Sequence, residues 1–302
     1  MPDVSASAHA GGCAALWIGP RALWTLPAGD WLYGGESPSA FRVRPTRSSG
    51  SAVRKQPIDP SKLTTVLTSC GRFDLLEETI TTFAHHFDAG RIIVAEDSGN
   101  ADVAAPFAAR FPAVDMRVNA PKLGQLRSID ALYTTLATPY VLHLEDDWGF
   151  TSSVDLDSVV SFLETRSDIS VVCIAHRIYD PRYARSARAL RHDGIDYLVW
   201  DLDAHPKWFS YSFNPSVARL AFWRECGSFA RFVSEENLSQ FCKAHGMRIA
   251  MVRPGIADHI GDDRHAHDPF QPPRAKSLVS RLRRSVAKRW ANFAAGERAG
   301  CL

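Results

Sequence analysis

The stretch LTTVLTSCGRFDLLEETITTFAHHFDAGRIIVAEDSGN, residues 63–100, decides the fold class. LTTVLTS is rich in β-branched residues, which suit a strand. Leu75, Leu76, Ile80 and Phe83 then recur at helical spacing. RIIVAED follows as a second strand, closed by Ser98, Gly99 and Asn100. The alternation continues with ADVAAPFAARF as a helix despite Pro106, VDMRVN as a third strand, GQLRSIDALYTTLA as a helix and YVLHLEDD as a fourth strand. Strands alternating with helices in short units imply crossovers and a mainly parallel sheet flanked by helices, an α/β fold. Ligands of such sheets gather at the carboxyl ends of the strands. Ser69, Asp97 and the acidic run Glu145, Asp146, Asp147 all fall there.

The second half is less regular. ISVVCIA, YLVWDL, WFSYSF and RIAMV read as strands. PSVARLAFWREC and EENLSQFCKAHG read as helices, the first with Pro215 near its start and Asn214 as its cap. Residues 1–60 are rich in Gly, Ser, Ala and Pro without sustained periodicity, so a loosely ordered extension is expected before a main domain over 61–270. The last segment, 271–302, carries Leu278, Leu282, Val286 and Trp290 at steps of four between Arg and Lys residues. That is the pattern of a basic amphipathic helix, which can lie on the anionic inner face of a membrane or pack on the body.

Of 302 residues, 45% are hydrophobic and 23% charged, as in an ordinary soluble globular protein with a sizeable core. The net charge of +2 is uneven: from Arg274 onward eight Lys/Arg face one acid, so the tail carries +7 and the remainder −5. An acidic body without a binding motif argues against nucleic acid as a partner. Cys13, Cys70, Cys173, Cys226, Cys242 and Cys301 are scattered without metal spacing and read as reduced thiols. No basic leader and no apolar run of membrane-spanning length is evident, which leads to the expectation of a cytoplasmic protein.

YVLHLEDDWGF, residues 140–150, drives a hydrophobic strand into three consecutive carboxylates. Repulsion and desolvation make such a cluster costly unless a cation or a ring of donors compensates. Strand alternation predicts that Glu145 and Asp147 lie together while Asp146 points away. Carboxylates so placed suit a hard divalent cation that also takes phosphate oxygens, Mg²⁺ or Mn²⁺. A solvated acidic turn is the plain alternative.

LTSCGRFDLLEETITTF, IIVAEDSGN and LGQLRSIDALYTTLATPYVLHLEDDW together resemble the donor half of the family 2 glycosyltransferases, which have the GT-A fold. The resemblance covers residues 63–150 and, more loosely, 228–265. It implies a loop of Ser69, Cys70 and Arg72 that contacts the nucleotide, with Glu96 and Asp97 at the base. It further implies a metal motif in which Asp147 binds the cation, Glu145 reaches metal-bound water or the ribose, and Asp146 belongs to the donor site. Two positions depart from the family pattern: Cys70 stands where an aromatic often packs on the base, and Glu145 replaces the first Asp. Lys122, Gly124 and Arg127 lie at the start of a helix, whose amino end with nearby cations can hold an anion.

An inverting sugar transfer needs a carboxylate to take the acceptor hydroxyl's proton. VSEENLSQFCKAHGMRIAMV resembles the family's acidic motif, with Ser234 as a cap and Glu235 and Glu236 in the first turn. Acids there are also routine capping chemistry. The resemblance favours Glu236 as the base. The resemblance to GT-A enzymes also implies a late histidine or acid at the metal or diphosphate site. In ADHIGDDRHAHD that is His259, after a short strand, with a surface loop histidine as the plain alternative; His265 and His267 follow it. Trp148, Trp208 and Trp223 could stack on sugars or belong to the core, and Arg182, Arg185, Arg188 and Arg191 would form a basic stripe on a helix. The expectation is a metal-dependent transferase moving a sugar from a UDP-, GDP- or dTDP-sugar to a glycan or lipid-linked hydroxyl, with inversion. A nucleotidyltransferase, or a degenerate sugar-nucleotide-binding or glycan-binding module, is the alternative.

Overall fold

The computed structural model describes residues 55–176, 187–202, 211–232, 234–261 and 269. In chain order it contains β1 (Gln56–Pro57), β2 (Leu63–Ser69), α1 (Phe73–His86), β3 (Phe87–Asp88), β4 (Ile92–Glu96), α2 (Ala101–Arg110), β5 (Val114–Val118), α3 (Gln125–Tyr133), β6 (Tyr140–Glu145) and β7 (Trp148–Phe150). There follow α4 (Leu156–Thr165), β8 (Ile169–Cys173), β9 (Ala187–His192), β10 (Ile195–Trp200), β11 (Ser216–Arg219), α5 (Leu220–Cys226), α6 (Glu235–Ala244), β12 (Arg248–Arg253) and β13 (Ala257–His259). All described residues belong to one unit, Ala52–Leu302.

Nine strands form the central sheet in the order β5-β4-β2-β6-β11-β8-β12-β10-β9. Tracing the pairings outward from β2, all strands but β11 and β10 run in one direction, so the sheet is mainly parallel. The chain leaves β2 for β4 and β5 on one side, then crosses back to lay β6 on the other. Open α/β sheets bind ligands at the carboxyl ends of the strands beside such a reversal, here β2 and β6.

Both faces of the sheet are covered, and for that reason the central strands read as nearly continuous apolar runs. Along β6, Leu142 and Leu144 pack with Leu76, Ile80 and Phe83 of α1 and with Val159 and Leu163 of α4. Val141 turns to the opposite face with Ile129 and Leu132 of α3, Leu220 and Phe222 of α5, and Leu238 of α6. α1 also anchors β7: the Thr79 and Thr82 hydroxyls accept the backbone N–H groups of Trp148 and Phe150 at 3.2 and 3.1 Å. α2 tolerates Pro106 and starts from an Asn100 cap that accepts from the Val103 N–H.

Several expectations change. PSVARLAFWREC is not one helix, because its Ser216–Arg219 part is β11, wedged between β6 and β8, and only Leu220 onward is helical. Asn214 therefore caps nothing; Arg219 occupies the residue before α5. Burial between two strands overrides the local helical pattern. The Arg stripe is also corrected: residues 187–192 form the edge strand β9, where Arg188 pairs with Asp201 and Arg191 with Asp196. Arg182 and Arg185 lie outside the described residues, as do Trp208, His265, His267 and the whole tail 271–302. WFSYSF is no strand where it is described, since Tyr211, Ser212 and Phe213 are irregular. Ordered structure reaches into the segment assigned to the extension, because Gln56 and Pro57 pair with Phe87 and Asp88. Among the described residues Cys70, Cys173, Cys226 and Cys242 are free thiols, and no helix is long and apolar enough to cross a membrane.

Candidate functional site

The fourth strand ends at Glu145, and Asp146 and Asp147 form a turn before β7. Strand alternation therefore stops two residues earlier than the sequence reading assumed, and the acidic run is partitioned differently. Asp146 and Asp147 share one partner, Arg72, while Glu145 accepts from the Gln125 amide at 2.9 Å.

Arg72 sits in the loop between β2 and α1. Its guanidinium pairs with Asp146 through Nε and Nη2, and Nη1 reaches Asp147 Oδ2 at 2.9 Å. Asp146 is 1% exposed and also accepts from Ser69 Oγ at 3.1 Å and from the Cys70 N–H at 3.4 Å. Burial raises its carboxyl to about 6 although Arg72 opposes the change. Burial also works to raise Asp147, but His259 and Arg72 outweigh it and hold that carboxyl below its ordinary value. The chain's own donors are thus the first compensation for the like charge that the sequence concentrates here.

His259 reaches the cluster through the β7–β13 ladder, which sets it opposite Trp148. Its Nε2 lies 3.4 Å from Asp147 Oδ2, and the hydrogen bond to Asp147 raises the imidazole above its usual value. Trp148 is 4% exposed and meets the His259 ring edge-on at 5.2 Å, so it supports the histidine from the core and presents no face to a sugar. Trp223 donates instead to Asp130 at 2.7 Å.

Asp147 Oδ2 and His259 Nε2, 3.4 Å apart, stand slightly wider than two adjacent ligands of one octahedral cation, roughly 3 Å for bonds of about 2.1 Å. A β-carbon on Gly261 would stand 2.8 Å from His259 Nε2 and 3.0 Å from Asp147 Oδ2, so the glycine leaves open the space beside both donors. These residues fit a cation that takes its remaining ligands from water and phosphate oxygens. No group of three metal-ligating side chains occurs among the described residues. Glu145, turned toward Gln125, is not a third ligand in this arrangement.

Behind the cluster, Asp97 and Glu96 act as brackets. Asp97 is 4% exposed; Oδ1 accepts from Asn119 Nδ2 at 2.9 Å and the Leu123 N–H at 2.7 Å, and Oδ2 accepts from the Gly124 N–H at 2.8 Å. Gly124 has φ +79° and is the residue before α3, so Asp97 holds the whole turn into that helix. Glu96 Oε1 accepts from the Gly71 and Ser98 N–H groups at 2.9 Å each, and the fully buried Oε2 has no partner. Lys122 Nζ stands 3.1 Å from Cys70 Sγ, which burial pushes up and Lys122 pulls down. Arg127 is exposed on α3.

From the other half, α6 brings the acceptor candidates. Ser234 caps the helix, its Oγ accepting from the Asn237 N–H, with Glu235 and Glu236 in the first turn. Burial holds the Glu145 carboxyl well above its ordinary value, and among the neighbouring charges Glu235 adds most to this, ahead of Asp147 and Asp146. Of the two first-turn acids, Glu235 is the one whose charge is felt at Glu145. Sequence reasoning missed Gln125, Asp130 and Gly261; of these only Gly261 left a signal, as the glycine directly after His259-Ile260.

No family model and no curated protein matches the chain. Among solved structures it is similar to GT-A-like glycosyltransferases. S. aureus TarS 1–349 in complex with UDP is 11% identical over 65% of this chain and 59% of that one, with a TM-score of 0.49. The mannosyltransferase PcManGT from Pyrobaculum calidifontis, in complex with GDP-Man and Mn²⁺, is 13% identical over 72% and 61%, with a TM-score of 0.48. The chain spans about three fifths of the length of either structure.

Proposed function

We propose that the chain is a nucleotide-sugar glycosyltransferase that transfers a sugar, with inversion, to a hydroxyl of a glycan or lipid-linked acceptor. One observation carries the reading: the Glu235 charge, from the first turn of α6, is felt at Glu145 in the carboxylate cluster at the carboxyl end of β6. Groups suited to a diphosphate and a group suited to deprotonating an alcohol then share one cleft. Asp147 and His259 would hold Mn²⁺ or Mg²⁺, and the cation would neutralise the diphosphate as it leaves. Ser69, Cys70 and Lys122 line the nucleotide side, and Asp97 positions the turn into α3. Glu235 takes the acceptor proton as the hydroxyl oxygen attacks the anomeric carbon.

The test is release of nucleoside diphosphate from UDP-, GDP- and dTDP-sugars in the presence of short glycan acceptors. The reading expects release from at least one donor. Glu235→Gln should lower it by about 100-fold or more, the usual contribution of a positioned base, with nucleotide affinity retained. Equal rates in both proteins would remove Glu235 from the chemistry.

A further inference from the structure

Arg72 is the cation already in the cluster. Its Nε and Nη2 hold Asp146, and Nη1 takes Asp147 Oδ2, the same oxygen that His259 approaches. A divalent cation on Asp147 must therefore compete with a guanidinium for one atom. The pair with Asp146 is buried, whereas the Arg72 side chain keeps 19% of its surface and Asp147 14%. The Asp147 contact is the one that can break while the Asp146 contact stays.

We infer that Arg72 is a displaceable internal counter-ion that makes cation and diphosphate binding depend on each other. The inference rests on the reading of this cleft as a nucleotide-sugar site. A cation arriving alone strips Arg72 of one partner and lies close to its positive charge. A diphosphate arriving with the cation gives the freed N–H edge new acceptors, in the planar geometry that guanidinium and phosphate share. Coupling of this kind is reciprocal: the nucleotide tightens the cation by the factor by which the cation tightens the nucleotide.

The experiment is Mn²⁺ titration followed by electron paramagnetic resonance, with and without UDP or GDP, on the full chain. The proteins are wild type, Arg72→Gln, and Arg72→Gln with Asp146→Asn. The double variant removes the buried carboxylate that the single change leaves without its partner, so a folded protein is at hand if the single variant fails. In wild type, Mn²⁺ alone should bind weakly, and one nucleotide should tighten it at least tenfold. In the variants, Mn²⁺ alone should bind at least tenfold tighter than in wild type, and the nucleotide should add less than threefold. Wild type and variants binding Mn²⁺ alike, or the coupling surviving unchanged, overturns the inference while leaving the site reading intact. A wild type that takes neither Mn²⁺ nor nucleotide overturns both.

Discussion

Gly261 offers a single-methyl test of the cation position. A β-carbon there would meet His259 Cε1 at 2.7 Å, so Gly261→Ala must push the half-exposed ring away from Asp147. The account expects Mn²⁺ affinity, measured by calorimetry in the presence of nucleotide, to fall about tenfold while stability changes by less than about 1 kcal/mol, as for a surface site. Unchanged affinity would remove His259 as a ligand. Single residues were partly legible in sequence. Asp147 and His259 were singled out through the family resemblance and the Ser234 cap by residue type, and the structure brings the first two together. Arg72 as the partner of both aspartates was not, because nothing in sequence joins residues 74 positions apart. The pairing of Asp146 with Asp147 was misread because a strand assumed to continue ends two residues earlier.

At the scale of elements, α3 ties the two halves together. Its amino end is held by Asp97 and places Gln125 on Glu145, while Asp130 further along takes four donors. Those donors are Trp223 Nε1 at 2.7 Å, Ser228 Oγ at 2.5 Å, and the Phe229 and Ala230 N–H groups at 2.8 Å each. The turn so fixed leads within a few residues to Ser234 and Glu235. Asp130→Ala should cost about 3 kcal/mol in urea unfolding, because four partly buried donors lose their acceptor at once. A loss below about 1 kcal/mol would mean that the turn is held by other contacts. Elements with strong local periodicity, α1, β4, α3 and β6, were legible from the sequence. β11 and β9 were not, since SVAR and ARALRH carry no strand signal of their own and are extended only because of the strands beside them.

Across the whole molecule, the mainly parallel sheet followed from the alternation of strands and helices over residues 63–150. What the alternation could not show is how the polar groups inside are satisfied. His143 sits in the middle of β6, 1% exposed, with Nδ1 3.0 Å from the Tyr133 hydroxyl and Nε2 without a partner. Burial lowers its pKa from 6.5 to about 3. The folded protein therefore binds fewer protons than the unfolded chain between these values. The stability this group contributes is complete above pH 6.5 and is lost as the pH falls toward 3. Between pH 6.5 and 5, wild type should lose about 2 kcal/mol more than His143→Leu, at roughly 1.4 kcal/mol per pH unit. Parallel pH profiles of the urea midpoint in the two proteins would show that the acid sensitivity lies elsewhere.

The most direct test of the central claim is a calorimetric titration of UDP, GDP and dTDP into wild type and Asp147→Ala, each with and without Mn²⁺. The account predicts that one nucleotide binds wild type in a Mn²⁺-dependent manner and that Asp147→Ala weakens this at least tenfold. Binding of none of them, or binding that neither Mn²⁺ nor Asp147 affects, would contradict it.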